Sequence, residues 1–185
     1  MVEFDVVERY VLASREFERR LRLVRDWEAP TPCTEWNVRQ LVNHMVRGNL
    51  NYVALLDGGT SADFLRLRDA DALGNDPLGA YERSVVEFVN AFQGCGALQR
   101  SLDYPLGKIG GGQAVAVRTA DTVIHTWDLA RAVGGDEELN AELVEWVDEN
   151  LDAIYEGLEG MGRFFAQVQG TGNTRQERLL RRLGR

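Results

Sequence analysis

The 185-residue chain carries only two histidines, His44 and His125, and each lies in a stretch whose apolar residues recur at helical spacing. Asp121 precedes His125 by four residues, so a carboxylate and an imidazole project from adjacent turns of one helix face. A second helix offering His44 would complete a nitrogen, nitrogen and oxygen set for one divalent cation, with a coordination position left for water or substrate. A borderline cation such as zinc suits such a set, and nickel or iron would also fit. A cation held this way lowers the pKa of a bound water or thiol, which makes a nucleophile at neutral pH. The competing reading needs no metal. It pairs Asp121 with His125, or with Arg118 three residues before it, and leaves His44 as a hydrogen-bonded core histidine. Spacing alone leaves both readings open.

Other residues stand beside this set. Asp128 continues the Asp121–His125 stripe at i+7; it can accept the second N–H of an imidazole or bond to backbone or an arginine. Cys33, in Pro32-Cys33-Thr34-Glu35-Trp36, could be a reactive thiol at a helix entrance, though a small buried hydrophobe is the plainer reading. Cys33 and Cys95 form no CxxC pair and are too few for a disulfide scaffold. Trp36 and Trp127 read as packing residues.

The elements that must position these groups are helices. The first covers about residues 3–27 and is stopped by Pro30 and Pro32. The second starts at Asn37 as N-cap, with Gln40 completing a capping box and a Trp36–Leu41 staple. His44 shares a face with Leu41, Gly48 and Leu55, so it should point towards the core, with Gly48 leaving space beside the imidazole. Residues 59–76 read as a loop with a short helix, and a third long helix follows over about Pro77–Phe92. Residues 101–113, ending in Gly110-Gly111-Gly112, read as a long crossover loop lying over a pocket. With no P-loop pattern and no preceding strand, nucleotide binding is rejected. The fourth helix spans about Ala114–Val133, and the last long one about Asn140–Leu158. Phe164-Phe165, a Gly/Thr turn and a short basic amphipathic element at Arg178–Leu183 close the chain. The expected fold is all-α: one domain over residues 1–185, a four-helix bundle with a long crossover and a short C-terminal element.

Composition narrows the function. A net charge of −8 argues against nucleic-acid binding, and the arginines of Arg175–Arg185 read as a solvated helix end and tail. No run of about 18 apolar residues exists, so no membrane span is expected. The acidic N-terminus does not resemble a secretory signal, which leaves a cytoplasmic location by default.

Two longer stretches carry a resemblance. They are Pro30-Thr31-Pro32-Cys33-Thr34-Glu35-Trp36-Asn37-Val38-Arg39, followed by Leu41-Val42-Asn43-His44-Met45-Val46, and Asp121-Thr122-Val123-Ile124-His125-Thr126-Trp127-Asp128-Leu129-Ala130-Arg131-Ala132-Val133-Gly134. Together they resemble the DinB/YfiT-like metalloenzyme superfamily, in the branch related to mycothiol-dependent maleylpyruvate isomerase. The ending, Glu177 to Arg185, is similar to the closing segment of small metal-binding members.

The resemblance implies an up-down-down-up four-helix bundle with the metal at one end. It also implies His44, Asp121 and His125 as ligands, where the isomerase branch uses histidine, glutamate and histidine and other members three histidines. It further implies a low-molecular-weight thiol such as mycothiol as cosubstrate, ionised by the metal and directed at a small electrophile. The expected function is therefore a divalent-metal-binding thiol S-transferase, with a non-catalytic metal- or ligand-binding bundle as the alternative. The isomerase has a further C-terminal domain that this chain does not match, so maleylpyruvate isomerisation itself is not expected. Arg47 and Arg118 are the local candidates for a substrate-binding cation, and a homodimer is expected by analogy.

Overall fold

A computed structural model of the chain describes residues 6–158 and 172–185. The start of the first helix expected at residues 3–5 lies outside these bounds, as do Phe164-Phe165 and the first part of the Gly/Thr turn.

Helix α1, Val6–Leu21, buries Val7, Tyr10, Ala13, Ser14, Phe17 and Leu21, a stripe at spacings of three and four. It ends six residues before the expected Trp27; Val24 and Trp27 still pack against the core, but from the turn and loop that follow the helix. Helix α2, Val38–Leu56, begins where its capping box requires: Asn37 Oδ1 accepts the Gln40 N–H at 2.9 Å, and Gln40 Oε1 accepts the Asn37 N–H at 3.0 Å. A short helix α3, Ser61–Leu67, follows, and then α4, Pro77–Phe92, with Asp76 as its cap.

The segment expected to be a strandless crossover is a β-hairpin. Strands β1, Ser101–Tyr104, and β2, Gly107–Gly110, pair antiparallel with Leu102 opposite Ile109. Both of those side chains point into the core, so two apolar residues across a short ladder outweigh the glycine content. Gly111 and Gly112 are not part of a loop; they open helix α5, Gly111–Ala132. A Cβ at Gly111 would lie 2.1 Å from the Ala97 carbonyl oxygen, which is why glycine stands there. Helices α6, Ala141–Ile154, and α7, Arg175–Arg182, complete the described residues.

The body is helical, as the sequence indicates: a four-helix bundle of α1, α2, α4 and α5. Helix α1 packs chiefly on α5 and also on α4, while α2 packs on α4 and α5. Consecutive helices α1 and α2 are therefore diagonal to each other. Helix α5 runs through the middle, buried on nearly every side. Its Thr119, Thr122 and Thr126 hydroxyls each donate to the carbonyl four residues back, so these polar groups are satisfied in the interior.

Two apolar clusters make the core, one around Tyr10, Phe88, Phe92, Val115 and Val144, the other around Phe17, Leu41, Met45, Tyr81 and Leu129. Helix α6 lies on α5 and α7 on α6. Arg175 binds Glu145, Asp148 and Glu149, and Arg182 binds Asp148, so the expected solvated tail is docked by charge. No helix among the described residues is long and apolar enough to cross a membrane.

Candidate metal centre

Helix α2 and the buried α5 bring His44, Asp121 and His125 together. His44 Nε2 lies 3.0 Å from Asp121 Oδ2, and His125 Nε2 lies 3.3 Å from Asp121 Oδ1. The imidazole rings meet edge to face with centroids 5.0 Å apart. Two ligand atoms at tetrahedral angles around a zinc ion are about 3.3 Å apart, given bonds of roughly 2.0–2.1 Å, so these two nitrogen–oxygen spacings suit such an ion, and the three donors all lie within 4.8 Å of one another. The one-methylene deficit of aspartate against glutamate does not keep the carboxylate from either ring. His44 is less inward than its helical face suggests: its side chain is 28% exposed and that of Asp121 27%, against 7% for His125. The cluster thus opens to solvent on the His44 and Asp121 side. Trp36 closes over it, its ring 4.7 Å from that of His44 and 5.8 Å from that of His125. Trp36 does pack, as expected, but against the imidazoles.

The second nitrogen of His125 faces a different group. Nδ1 lies 2.9 Å from Asp128 Oδ2, so with Nδ1 protonated the ring donates there and turns Nε2 towards Asp121. Both roles considered for Asp128 are filled, because Arg185 also binds it, donating Nε to Oδ1 at 2.7 Å and Nη2 to Oδ2 at 2.8 Å. Cys33 is a polar participant and not a buried hydrophobe. It is half-buried; its Sγ accepts from Arg185 Nη2 at 2.8 Å and lies 3.3 Å from Asp128 Oδ2 and 4.0 Å from His125 Nδ1. Arg185 also lines an open cleft of about 440 Å³ with Pro30, Thr31, Pro32, Trp127 and Arg131, but none of the three clustered donors lines it.

Arg118 is fully committed to structure. Its guanidinium donates to Asp121 Oδ2 at 2.5 Å, to Asn49 Oδ1 at 3.0 and 3.2 Å, and to the Met45 carbonyl at 3.1 Å. The space at Gly48 serves this guanidinium and not the imidazole, since a Cβ there would fall 2.6 Å from Arg118 Nη1. Arg47 is held by the carbonyls of Ala70 and Asp71. Neither expected substrate-binding cation is uncommitted. The Gly110–Gly112 segment is likewise displaced from its expected role: it begins α5, about 15 Å of helix rise before Asp121.

The charges are coupled. Burial lowers His44 below the ordinary histidine value, against the pull of Asp121. Burial would lower His125 too, but Asp121, Asp128 and Cys33 together hold it well above that value. Asp121 is held well below the usual carboxylate range: burial works against this, and the two imidazoles overcome it. Asp128 overcomes the same burial penalty through His125 and Arg185 and falls to about 2.

Sequence spacing found the Asp121–His125 pair because it is local, and the choice of His44 followed from its being the other histidine. Cys33 and Arg185 were missed as site neighbours: 92 and 152 residues separate Cys33 from His125 and Arg185, and no local pattern encodes such meetings.

Residues 11–130 match the family model of the mycothiol maleylpyruvate isomerase N-terminal domain. Two uncharacterized proteins of Mycobacterium tuberculosis, from strains CDC 1551 / Oshkosh and ATCC 25618 / H37Rv, are each 29% identical over 138 residues, which is 74% of this chain and 71% of theirs. The crystal structure of the mycothiol-dependent maleylpyruvate isomerase superposes with a TM-score of 0.62 at 14% identity, covering 90% of this chain and 72% of that one. A histidine-to-alanine mutant of that enzyme gives the same TM-score at 13% identity.

Proposed function

This chain belongs to the mycothiol maleylpyruvate isomerase N-terminal domain family, and from that premise we propose that it binds a divalent metal, zinc first among candidates, and transfers a low-molecular-weight thiol such as mycothiol to a small electrophile. The observation that carries this reading is the convergence of His44 Nε2 and His125 Nε2 on the two oxygens of Asp121, at the solvent-open side of the bundle. His44, Asp121 and His125 would hold the ion. When bound, it supplies Lewis acidity that favours loss of the proton from a thiol at neutral pH.

The chain's own residues do the rest. Asp128 accepts the Nδ1–H of His125 and so keeps Nε2 turned towards Asp121, where it would meet the ion once its proton has left. Trp36 lies against both imidazoles and limits water to the side left open by His44 and Asp121. The part-exposed rim of His44 and Asp121 would let a small thiol approach while the His125 side stays buried.

The first test is elemental analysis of protein purified without a histidine tag or chelator, beside His44→Ala and His125→Ala. Near-stoichiometric zinc or nickel, lost in both variants, is the expected result. Metal-dependent consumption of mycothiol with a panel of electrophiles, lost in His125→Ala, extends it to catalysis. Protein that is empty and refuses added zinc and nickel would return both histidines to a structural role.

A second reading, a metal that fixes the helices without catalysis, draws on the Arg118–Asp121 bond, which already commits part of the carboxylate to structure. It predicts a large fall in melting temperature on metal removal and no turnover with any thiol.

A further inference from the structure

We propose that Arg185 is a positioning residue for the metal centre, acting through Asp128 on His125, and that docking of α7 and metal binding are thereby coupled. The inference rests on the metal reading of His44, Asp121 and His125.

Arg185 reaches the site from the far end of the chain. It approaches Asp128 side-on, with Nε on one carboxylate oxygen and Nη2 on the other at 2.7 and 2.8 Å. This paired geometry fixes the plane of a carboxylate as well as its position. Asp128 is fully buried, and the oxygen that Nη2 holds is the one 2.9 Å from His125 Nδ1. Fixing that oxygen fixes where the Nδ1–H of His125 points. The ring is rigid, so the direction of Nε2 is set with it.

The same guanidinium donates to Cys33 Sγ, in the segment that leads to Trp36 and the α2 cap. One side chain therefore ties together α5, the entrance to α2 and the residues after α7. The backbone of Arg185 is held as well, its N–H donating to the Leu180 carbonyl at 2.8 Å, so the guanidinium is placed by α7 itself. Helix α7 is in turn clamped to α6 by Arg175 and Arg182, and it buries Leu179 and Leu180.

Coupling between two binding events is reciprocal. If α7 orients His125 through Arg185, zinc on His125 must also steady α7. Groups that orient a metal-bound histidine are commonly worth 10–100-fold in metal affinity.

Zinc affinity is to be measured by competition with a chromophoric chelator on the full chain, for the wild type, Arg185→Ala, Arg185→Lys, Arg175→Ala and the double variant of Arg175→Ala with Arg185→Ala, each checked for helicity by circular dichroism. Hydrogen exchange of the α7 amides is to be followed with and without zinc. The expected result is a loss of about 10–100-fold in Arg185→Ala and partial recovery in Arg185→Lys. Arg175→Ala loosens α7 through its contacts with α6 while keeping Arg185, so it should weaken zinc binding less than Arg185→Ala does and add nothing to it in the double variant. Zinc should slow α7 exchange in the wild type and not in Arg185→Ala.

Equal zinc affinity in folded Arg185→Ala would overturn the proposal while leaving the metal reading intact. A further weakening when Arg175→Ala is added to Arg185→Ala would overturn it too, by showing that α7 acts on the site by a route other than Arg185. A wild type that binds no zinc would instead remove the metal reading on which the proposal stands.

Discussion

Arg118 touches two polar assemblies that use similar side chains and differ in kind. On one side Asn49 Oδ1 accepts from Tyr10 Oη at 2.8 Å and from the guanidinium, Asn49 Nδ2 donates to Ser84 Oγ at 3.0 Å, and Ser84 donates to the Tyr81 carbonyl at 2.8 Å. All of these groups are buried. On the other side, His44 and Asp121 are more than a quarter exposed, and two imidazoles and the same arginine converge on one carboxylate. The first assembly has a partner for each donor and acceptor just named and joins the diagonal helices α1 and α2 through the core. The second concentrates basic nitrogens on one anion at an opening. Burial with complete pairing marks structure; convergence with access marks a place where something can bind.

That division can be broken by mutation. Arg118→Met should lower stability most, by about 3–5 kcal/mol, since it takes a buried guanidinium away from Asn49 Oδ1, the Met45 carbonyl and Asp121 at once; urea denaturation of the metal-free protein measures it. His44→Ala should cost less than about 1 kcal/mol in the same assay, as expected of a part-exposed group, while removing zinc binding. If His44→Ala proves as destabilising as Arg118→Met, the two assemblies are one structural unit.

Gly48→Ala comes next. Its Cβ drives the Arg118 guanidinium out of place, and about 1–3 kcal/mol should be lost to overpacking, despite the better helix propensity of alanine.

Titration separates the two sides more finely. His125 is raised above the ordinary value of about 6.5. Its contribution to metal-free stability is therefore complete below that pH and is lost as pH rises through its elevated value. His44 is lowered and acts in the opposite sense, costing stability as pH falls through the ordinary value. Zinc affinity should rise with pH across the His125 window, because the imidazolium proton must leave for the ion to bind. Melting temperature in chelator and zinc affinity, each followed against pH, should therefore run in opposite directions above about pH 6.5.

The smallest effect is expected of Asn37→Ala. Loss of the α2 cap should cost about 1 kcal/mol and leave zinc affinity within about twofold, since tertiary packing, not the cap, sets the register of His44.

The capping box of Asn37 and Gln40, the proline opening α4 and the Asp121–His125 spacing were all readable because each is decided within one helical turn. The hairpin was not: each of its strands has four residues, and its decisive Leu102–Ile109 pair is visible only once the ladder is known. Gly48 was correctly read as making room, but for the wrong occupant, since nothing in the α2 sequence announces an arginine arriving from α5. Cys33, Asp128 and Arg185 meet only through the tertiary fold. Long-range polar contacts are the part of a site that periodicity does not encode.

The diagonal placement of α1 and α2 has a consequence for how the molecule is made. Many helical bundles fold fast because neighbouring helices close as hairpins. Here α1 finds its main partner only in α5, whose first residue lies 90 positions beyond the end of α1. In a nascent chain leaving the ribosome α2 can already pack on α4, but the main contact face of α1 stays unmatched until α5 has emerged, and α5 brings both Asp121 and His125. The same helix thus gives α1 its main packing partner and delivers two of the three proposed ligands, so the packing of α1 and the meeting of those ligands with His44 await the same stretch of chain.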